Sequence, residues 1–369
     1  MTPQKRQPLT LDATKATEDR EILEAIAEDE GVDNNTRKRA SLILKMIEGA
    51  DVKAAAEQVS ISVATARKKV ALFNNGGWKS LLTVMAPRGG DFLARYDQGY
   101  WAERLVRNYL DQSATHRAVP YGTSRSEPFT DMHSFRQYVE AEFQLQAWSA
   151  QGRWKRPDLL MIPRGVLKAE KGNDTWTPDL KHLDNDHCSQ YVEKTAAAIE
   201  VETSLWQVKR ATVKLSFTVK LEDLESLRNW VRANNVPLFI VQVFYDCAYA
   251  LPFATLEEVI SLPTTDRRHV SAEVDSVTKK ATYKIPLGEG VLLGDVGEPD
   301  VEGKVFKAPN GKVTVYARLT GSDIAMTNEA ALEHLAQGIL RGGLMGEEAI
   351  GRDAQLEGGD VSEDAAEGE

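Results

Sequence analysis

At 369 residues, with 42% hydrophobic and 27% charged positions, the chain is long enough for two or three domains with buried cores. Its composition excludes collagen-like, coiled-coil and wholly disordered architectures. No run approaches the ~18 apolar residues needed to span a bilayer. The first eleven residues are polar, so a cytoplasmic protein with no membrane partner is expected. Cys188 and Cys247 stand far apart with no CxxC spacing, which excludes a disulfide framework or a cysteine zinc site and leaves two inert thiols. The net charge of −10 argues at first against a nucleic-acid partner, but it is unevenly placed: residues 347–369 hold nine acids against Arg352 alone. The remainder is close to neutral, and local basic clusters decide which partners it suits. The acidic tail reads as a disordered solubilising end, with mimicry of DNA charge as the alternative.

Apolar residues recur at helical spacing through Ile22, Leu23, Ile26 and Ala27, then through Ala40, Ile43, Leu44 and Ile47. A short helix from Val52 to Val59, a break at Ser60-Ile61-Ser62 and a third helix from Val63 to about Asn74 complete a helix-turn-helix rhythm, with Ser62 as its cap. In "AAAEQVSISVATARKKV" the small Ala55 and Ala56 permit a close helix crossing. Thr65, Arg67, Lys68 and Lys69 lie on or beside the exposed face. The stretch resembles the helix-turn-helix of resolvase- and transposase-like proteins. That resemblance implies a helix in the major groove, with base readout from Thr65 and phosphate contacts from the cations. An ordinary three-helix unit with a solvated basic face is the alternative.

From Gly76 to Tyr121 a Gly-containing break precedes a helix with Trp101, Leu105, Val106 and Tyr109 on one face, read as a connector. The loop Tyr121 to Ser126 offers Arg125 to phosphate, or is plain surface, and a helix from about His133 to Trp148 follows. Asp158 directly precedes the apolar strand Leu159 to Ile162. In the next apolar run, Ala196 to Val201, the period of two puts Glu200 and Glu202 on one face. Two acids on one face of a buried strand repel unless a proton or a cation compensates, and a hard Mg²⁺ ion with oxygen ligands does so. A strand-start cap at Asp158 and a sheet edge carrying two exposed glutamates are the bland alternative. A helix through Trp206 to Val213, an acidic helix from Leu221 to about Asn234 and the apolar strand Val236 to Phe244 complete a strand, strand, helix, strand order with a right-handed crossover.

The pieces "KRPDLLMI", "AAIEVETS" and "VPLFIVQVFYD" resemble the PD-(D/E)xK nuclease superfamily, Type II restriction endonucleases in particular and the AccI-like group among them. The resemblance implies that Asp158 and Glu200 bind Mg²⁺ and that Glu142, or second to it Glu140, completes the shell. Glu202 stands where the family motif has lysine, so it becomes a base or a ligand, and Lys209 is the candidate for the missing positive charge. Pro178-Asp179 competes with Pro157-Asp158, but polar residues follow it rather than a strand.

The cluster His182, Asp184, Asp186, His187 and Cys188 matches no zinc spacing and reads as a substrate-facing loop or a solvated turn. Trp206 and Trp230 read as packing residues rather than base-stacking platforms. No GxxxxGK[ST] or GxGxxG follows a strand, so no nucleotide cofactor is expected. Alternation over 270–277, 281–287, 304–306 and 313–319 predicts hairpins, and a last helix runs from Glu329 to Leu340.

The expected fold class is therefore α/β (α+β): a helical helix-turn-helix domain over 1–85, a helical connector over 86–120, a mixed-sheet restriction-endonuclease-like nuclease domain with C-terminal hairpins over 121–345, and an acidic tail over 346–369. The resemblance implies a Mg²⁺-dependent endonuclease that cuts double-stranded DNA at a short site as a homodimer. A non-catalytic DNA-binding regulator and a repair or transposition nuclease of the same fold are the competing readings.

Overall fold

The computed structural model describes residues 10–28, 34–82, 90–122, 129, 131–150, 155–172, 176–204, 206–211, 215–262, 271–274, 281–308 and 311–341. Arg125 and the acidic tail lie outside the described residues.

The N-terminal unit is built from α1 (Ala13–Glu18), α2 (Arg20–Glu28), α3 (Asn34–Ile47), α4 (Val52–Gln58) and α5 (Val63–Gly76). Short polar side chains start three of them: Asp12, Asp51 and Ser62 accept from the first free backbone amides of α1, α4 and α5. The apolar stripes then converge on a core of Leu23, Ile26, Ala40, Ile43, Ala55, Ala56, Ala66, Val70 and Phe73. At ~1.5–3 kcal/mol for each fully buried large side chain, that burial holds the helices together far more than their intrinsic propensity does.

Next come α6 (Gly90–Leu110), β1 (His116–Pro120), α7 (Met132–Ala150), β2 (Leu159–Pro163), α8 (Arg164–Lys171), α9 (Asn185–Val192), β3 (Ala197–Thr203), β4 (Ser216–Lys220), α10 (Leu221–Asn234) and β5 (Leu238–Val243). The chain continues through β6 (Cys247–Pro252), α11 (Phe253–Ser261), β7 (Ser271–Val274), β8 (Ala281–Pro286), β9 (Val291–Val296), β10 (Asp300–Lys307), β11 (Val313–Thr320), β12 (Ile324–Met326) and α12 (Glu329–Ala336). Seven strands form one mixed sheet in the order β1-β2-β3-β5-β6-β9-β12. Within it β3 and β5 are parallel, joined through β4 and α10, while the remaining neighbours are antiparallel. One face packs on α6 and α12 through Trp101, Leu105, Tyr109, Ile199, Phe239 and Leu335. The other covers Ile162, Ala198, Ile240 and Leu251 with α10, α11 and the small sheet β4-β8-β7. Burial on both faces explains why β5 reads as an almost continuous apolar run. Among the described residues no helix is long and apolar enough to cross a membrane.

Two expectations are corrected. The helix expected over Trp206 to Val213 is only a 3₁₀ turn, Val208–Arg210, followed by strand β4. The Asp246 carboxylate takes the amides of Val208 and Lys209, each at 2.8 Å, and Phe217 and Val219 alternate into the core. Trp206 is not a packing residue: it is 58% exposed, whereas Trp230 is fully buried. The segment read as a connector packing onto the next domain supplies α6, which does pack against the centre of the sheet, and the edge strand β1.

Asp97 on α6 is buried beside Tyr316 and Arg318, where the β10–β11 hairpin packs. Burial pushes its carboxyl up to about 6, against the opposing influence of Arg318, Tyr316 and Lys304. A carboxyl raised above its unfolded value contributes stability that is complete below about pH 4 and drains away as pH climbs through 6. Asp97→Asn is therefore expected to gain on the order of 2 kcal/mol relative to the parent between pH 4 and pH 8. Urea titrations at the two pH values measure it, and a stability difference independent of pH defeats it.

Candidate functional site

The antiparallel register of β2 and β3 pairs Leu159 with Ile199, and one further step along it sets Asp158 opposite Glu200. Asp158 Oδ2 accepts from the Val201 amide at 2.8 Å, so the carboxylate is fixed against the strand that carries both glutamates. Its carbonyl accepts from the amides of Tyr121 and Gly122. Gly122 passes so close that a Cβ there would lie 2.9 Å from the Arg156 carbonyl oxygen and 2.8 Å from that of Pro157. Gly122→Ala must therefore push the 156–158 segment outward, at about 1–3 kcal/mol by overpacking. We expect a lower melting temperature together with slower turnover in any activity that uses Asp158. Unchanged stability would remove this account of the glycine.

Glu200 is buried, and its Oε1 pairs with the Lys155 ammonium. Among the described residues its Oε2 has no hydrogen-bond partner. Burial first, and then the charge of Asp158, push the Glu200 carboxyl up, while Lys155 pulls it down. Burial alone would lower Lys155, but Glu200, Asp223, Asp158 and Glu202 outweigh it and hold the ammonium charged well above its ordinary value. Lys155 also reaches Asp223 Oδ1 at 3.8 Å. Lys220 bridges Glu202 at 3.8 Å and Asp223 at 3.7 Å. Gln242, opposite Glu202 in the parallel register, is buried: its Oε1 accepts from the amide and hydroxyl of Thr218, and among the described residues its Nε2 has no hydrogen-bond partner.

The fold thus brings Asp158, Glu200 and Glu202 together. It sets Lys209 apart, exposed and paired with Asp295 at 3.0 Å, and puts Lys155 in its place beside the glutamate. Glu142 is half-buried on α7, and Glu140 is engaged by Arg136 at 3.1 Å and Lys79 at 3.9 Å. Asp179 leads a 3₁₀ turn, not a strand. In the neighbouring cluster Asp184 caps α9 and holds His187, and Arg156 clamps the loop through the carbonyls of Leu180 and Leu183 and the side chain of Asn185. Among the described residues no three His, Cys, Asp or Glu side chains form a ready-made metal group.

Sequence reasoning missed Lys155, Lys220, Asp223 and Gln242. One signal for the middle pair was available: in a parallel crossover the N-terminus of the connecting helix returns to the C-terminal end of the first strand, here β3. Gln242 was legible as the one polar residue within the apolar β5.

In the N-terminal unit α4 and α5 meet at a turn where Ser60 takes φ 55°, and Thr65, Arg67 and Lys68 are exposed on α5. Lys69 is half-buried, and burial together with Arg39 lowers its pKa.

Residues 207–335 match the family model of the AccI restriction endonuclease, a span from just before β4 to α12 that includes Lys220, Asp223 and Gln242 and begins just after Glu202. The match supports a type II restriction endonuclease, in agreement with the resemblance carried by the sequence. No curated protein and no solved structure matches the chain.

Proposed function

We propose that the chain is a divalent-metal-dependent endonuclease that hydrolyses phosphodiester bonds of double-stranded DNA at a short, specific site. The observation that carries this reading is the buried Oε2 of Glu200, without a hydrogen-bond partner among the described residues, beside the fixed carboxylate of Asp158. A buried carboxylate with an idle oxygen is costly unless a cation completes it. Two carboxylates suit Mg²⁺, which keeps several waters and takes its remaining oxygens from phosphate. Asp158 and Glu200 would hold the ion. When bound, it would lower the pKa of the attacking water and neutralise charge on the transferring phosphoryl group.

The chain's own groups do the rest. Lys155, held charged by four acids, would stabilise the negative charge that a phosphate oxygen gains in the transition state. Glu202, less buried than Glu200, would orient water or accept its proton. Glu142 is proposed as the further acid of the shell. Thr65, Arg67, Lys68 and Lys69 would contact DNA from α5, and a homodimer would match the two-fold symmetry of a palindromic site.

Incubation with unmethylated phage DNA, in Mg²⁺ or in EDTA, tests the proposal. Discrete fragments that require Mg²⁺ support it. Intact DNA with a retained gel shift, on methylated and unmethylated substrate alike, would favour the regulator.

A further inference from the structure

The loop that follows β3 has no part in the chemistry above. Trp206 lies four residues beyond Glu202 and is 58% exposed, an expensive position for the largest apolar side chain. The loop is firmly held. The Trp206 carbonyl accepts from the Tyr245 amide at 3.0 Å, and the Tyr245 ring packs edge-on against the buried Trp101. Asp246 fixes the amides of Val208 and Lys209. The indole is therefore presented by a braced turn. Beside it Lys209 and Arg210 are both exposed, and Arg210 has no ion-pair partner among the described residues.

Lys209 is paired with Asp295 at 3.0 Å, so Arg210 is the cation left beside the indole; an exposed aromatic next to an unpaired cation is chemistry that grips nucleic acid, apolar surface against sugars and base edges and the cation against phosphate. At ~3.3 Å per strand residue, Trp206 lies within about 13 Å of Glu202, less than the width of a duplex. We propose that the 206–210 turn is a DNA-contacting element of the nuclease domain, with Trp206 set against the groove of the duplex whose phosphate lies at Glu200 and with Arg210 on its backbone. This rests on the nuclease reading and adds to it a DNA contact independent of α5.

The test is fluorescence anisotropy of a labelled duplex carrying the cleavage site, titrated with the full chain in Ca²⁺ and in EDTA, for the parent, Trp206→Ala, Trp206→Phe and Arg210→Ala. The expected results are a Kd raised at least about tenfold in Trp206→Ala, largely restored in Trp206→Phe. In Arg210→Ala the slope of log Kd against log salt falls by about one. Parent-like affinity in Trp206→Ala, with cleavage intact in the parent, overturns this proposal alone. A parent that neither binds nor cuts overturns it together with the nuclease reading. A dimer that Trp206→Ala converts to monomer assigns the surface to a second copy and also overturns it.

Discussion

Glu200→Ala is expected to lower single-turnover cleavage in saturating Mg²⁺ by at least about a thousandfold, equivalent to ~4 kcal/mol of transition-state stabilisation. The size follows from what the side chain does. It is buried on β3, one oxygen is committed to Lys155 and the other is idle, and Asp158 is fixed against the same strand. Removing it deletes one of the two proposed carboxylate ligands and leaves the Lys155 ammonium facing only more distant acids. Because Glu200 is held at the expense of burial and of repulsion from Asp158, its loss should leave the metal-free fold near parental stability. Circular dichroism and duplex binding should therefore remain close to the parent while cleavage disappears. Cutting within tenfold of the parent would sink the assignment.

Lys155→Ala is expected to reduce the same rate by about 10²- to 10³-fold, the usual loss on removing one preorganised group that stabilises developing charge. It should also destabilise the metal-free protein by about 1–3 kcal/mol. The partly exposed ammonium is screened by solvent, yet it is the cation in contact with a buried carboxylate. The two effects separate. Mg²⁺ should restore much of the lost stability by neutralising Asp158 and Glu200, while the rate stays low because the ammonium that would add to the ion's stabilisation of the phosphoryl charge is gone. Lys155→Arg should recover part of the rate. If added Mg²⁺ restores both stability and rate, Lys155 is a structural counter-ion only.

The proposed metal-binding carboxylates were legible because their signal is local. A strand's period of two puts Glu200 and Glu202 on one face, and Pro157-Asp158 before an apolar run marks a strand start. Helices α2 to α5 of the N-terminal unit, α10, and the hairpins β7–β8 and β10–β11 were legible for the same reason, since caps and periodicity act within a few residues. The turn at Trp206 was misread as helix because its spacing suits one. Asp246, nearly forty residues away, accepts from the amides of Val208 and Lys209, and the turn it holds is a single 3₁₀ turn, Val208–Arg210.

By itself, then, the sequence determined the order and type of most elements and the two acidic strands, because backbone hydrogen bonding and apolar periodicity are short-range. Only the tertiary structure decided which cation serves those acids. Lys155 and Lys209 lie on opposite sides of Glu200 in the chain, and nothing local favours the first. The antiparallel pairing of β2 with β3 brings the segment leading into Asp158 beside the glutamate. The parallel return through α10 sets Lys220 and Asp223 beside Glu202 and Lys155, while Lys209 is drawn off to Asp295 on β9. Coulomb energy depends on distance in space, and the sheet fixes those distances through contacts too far apart in sequence for any local pattern to encode.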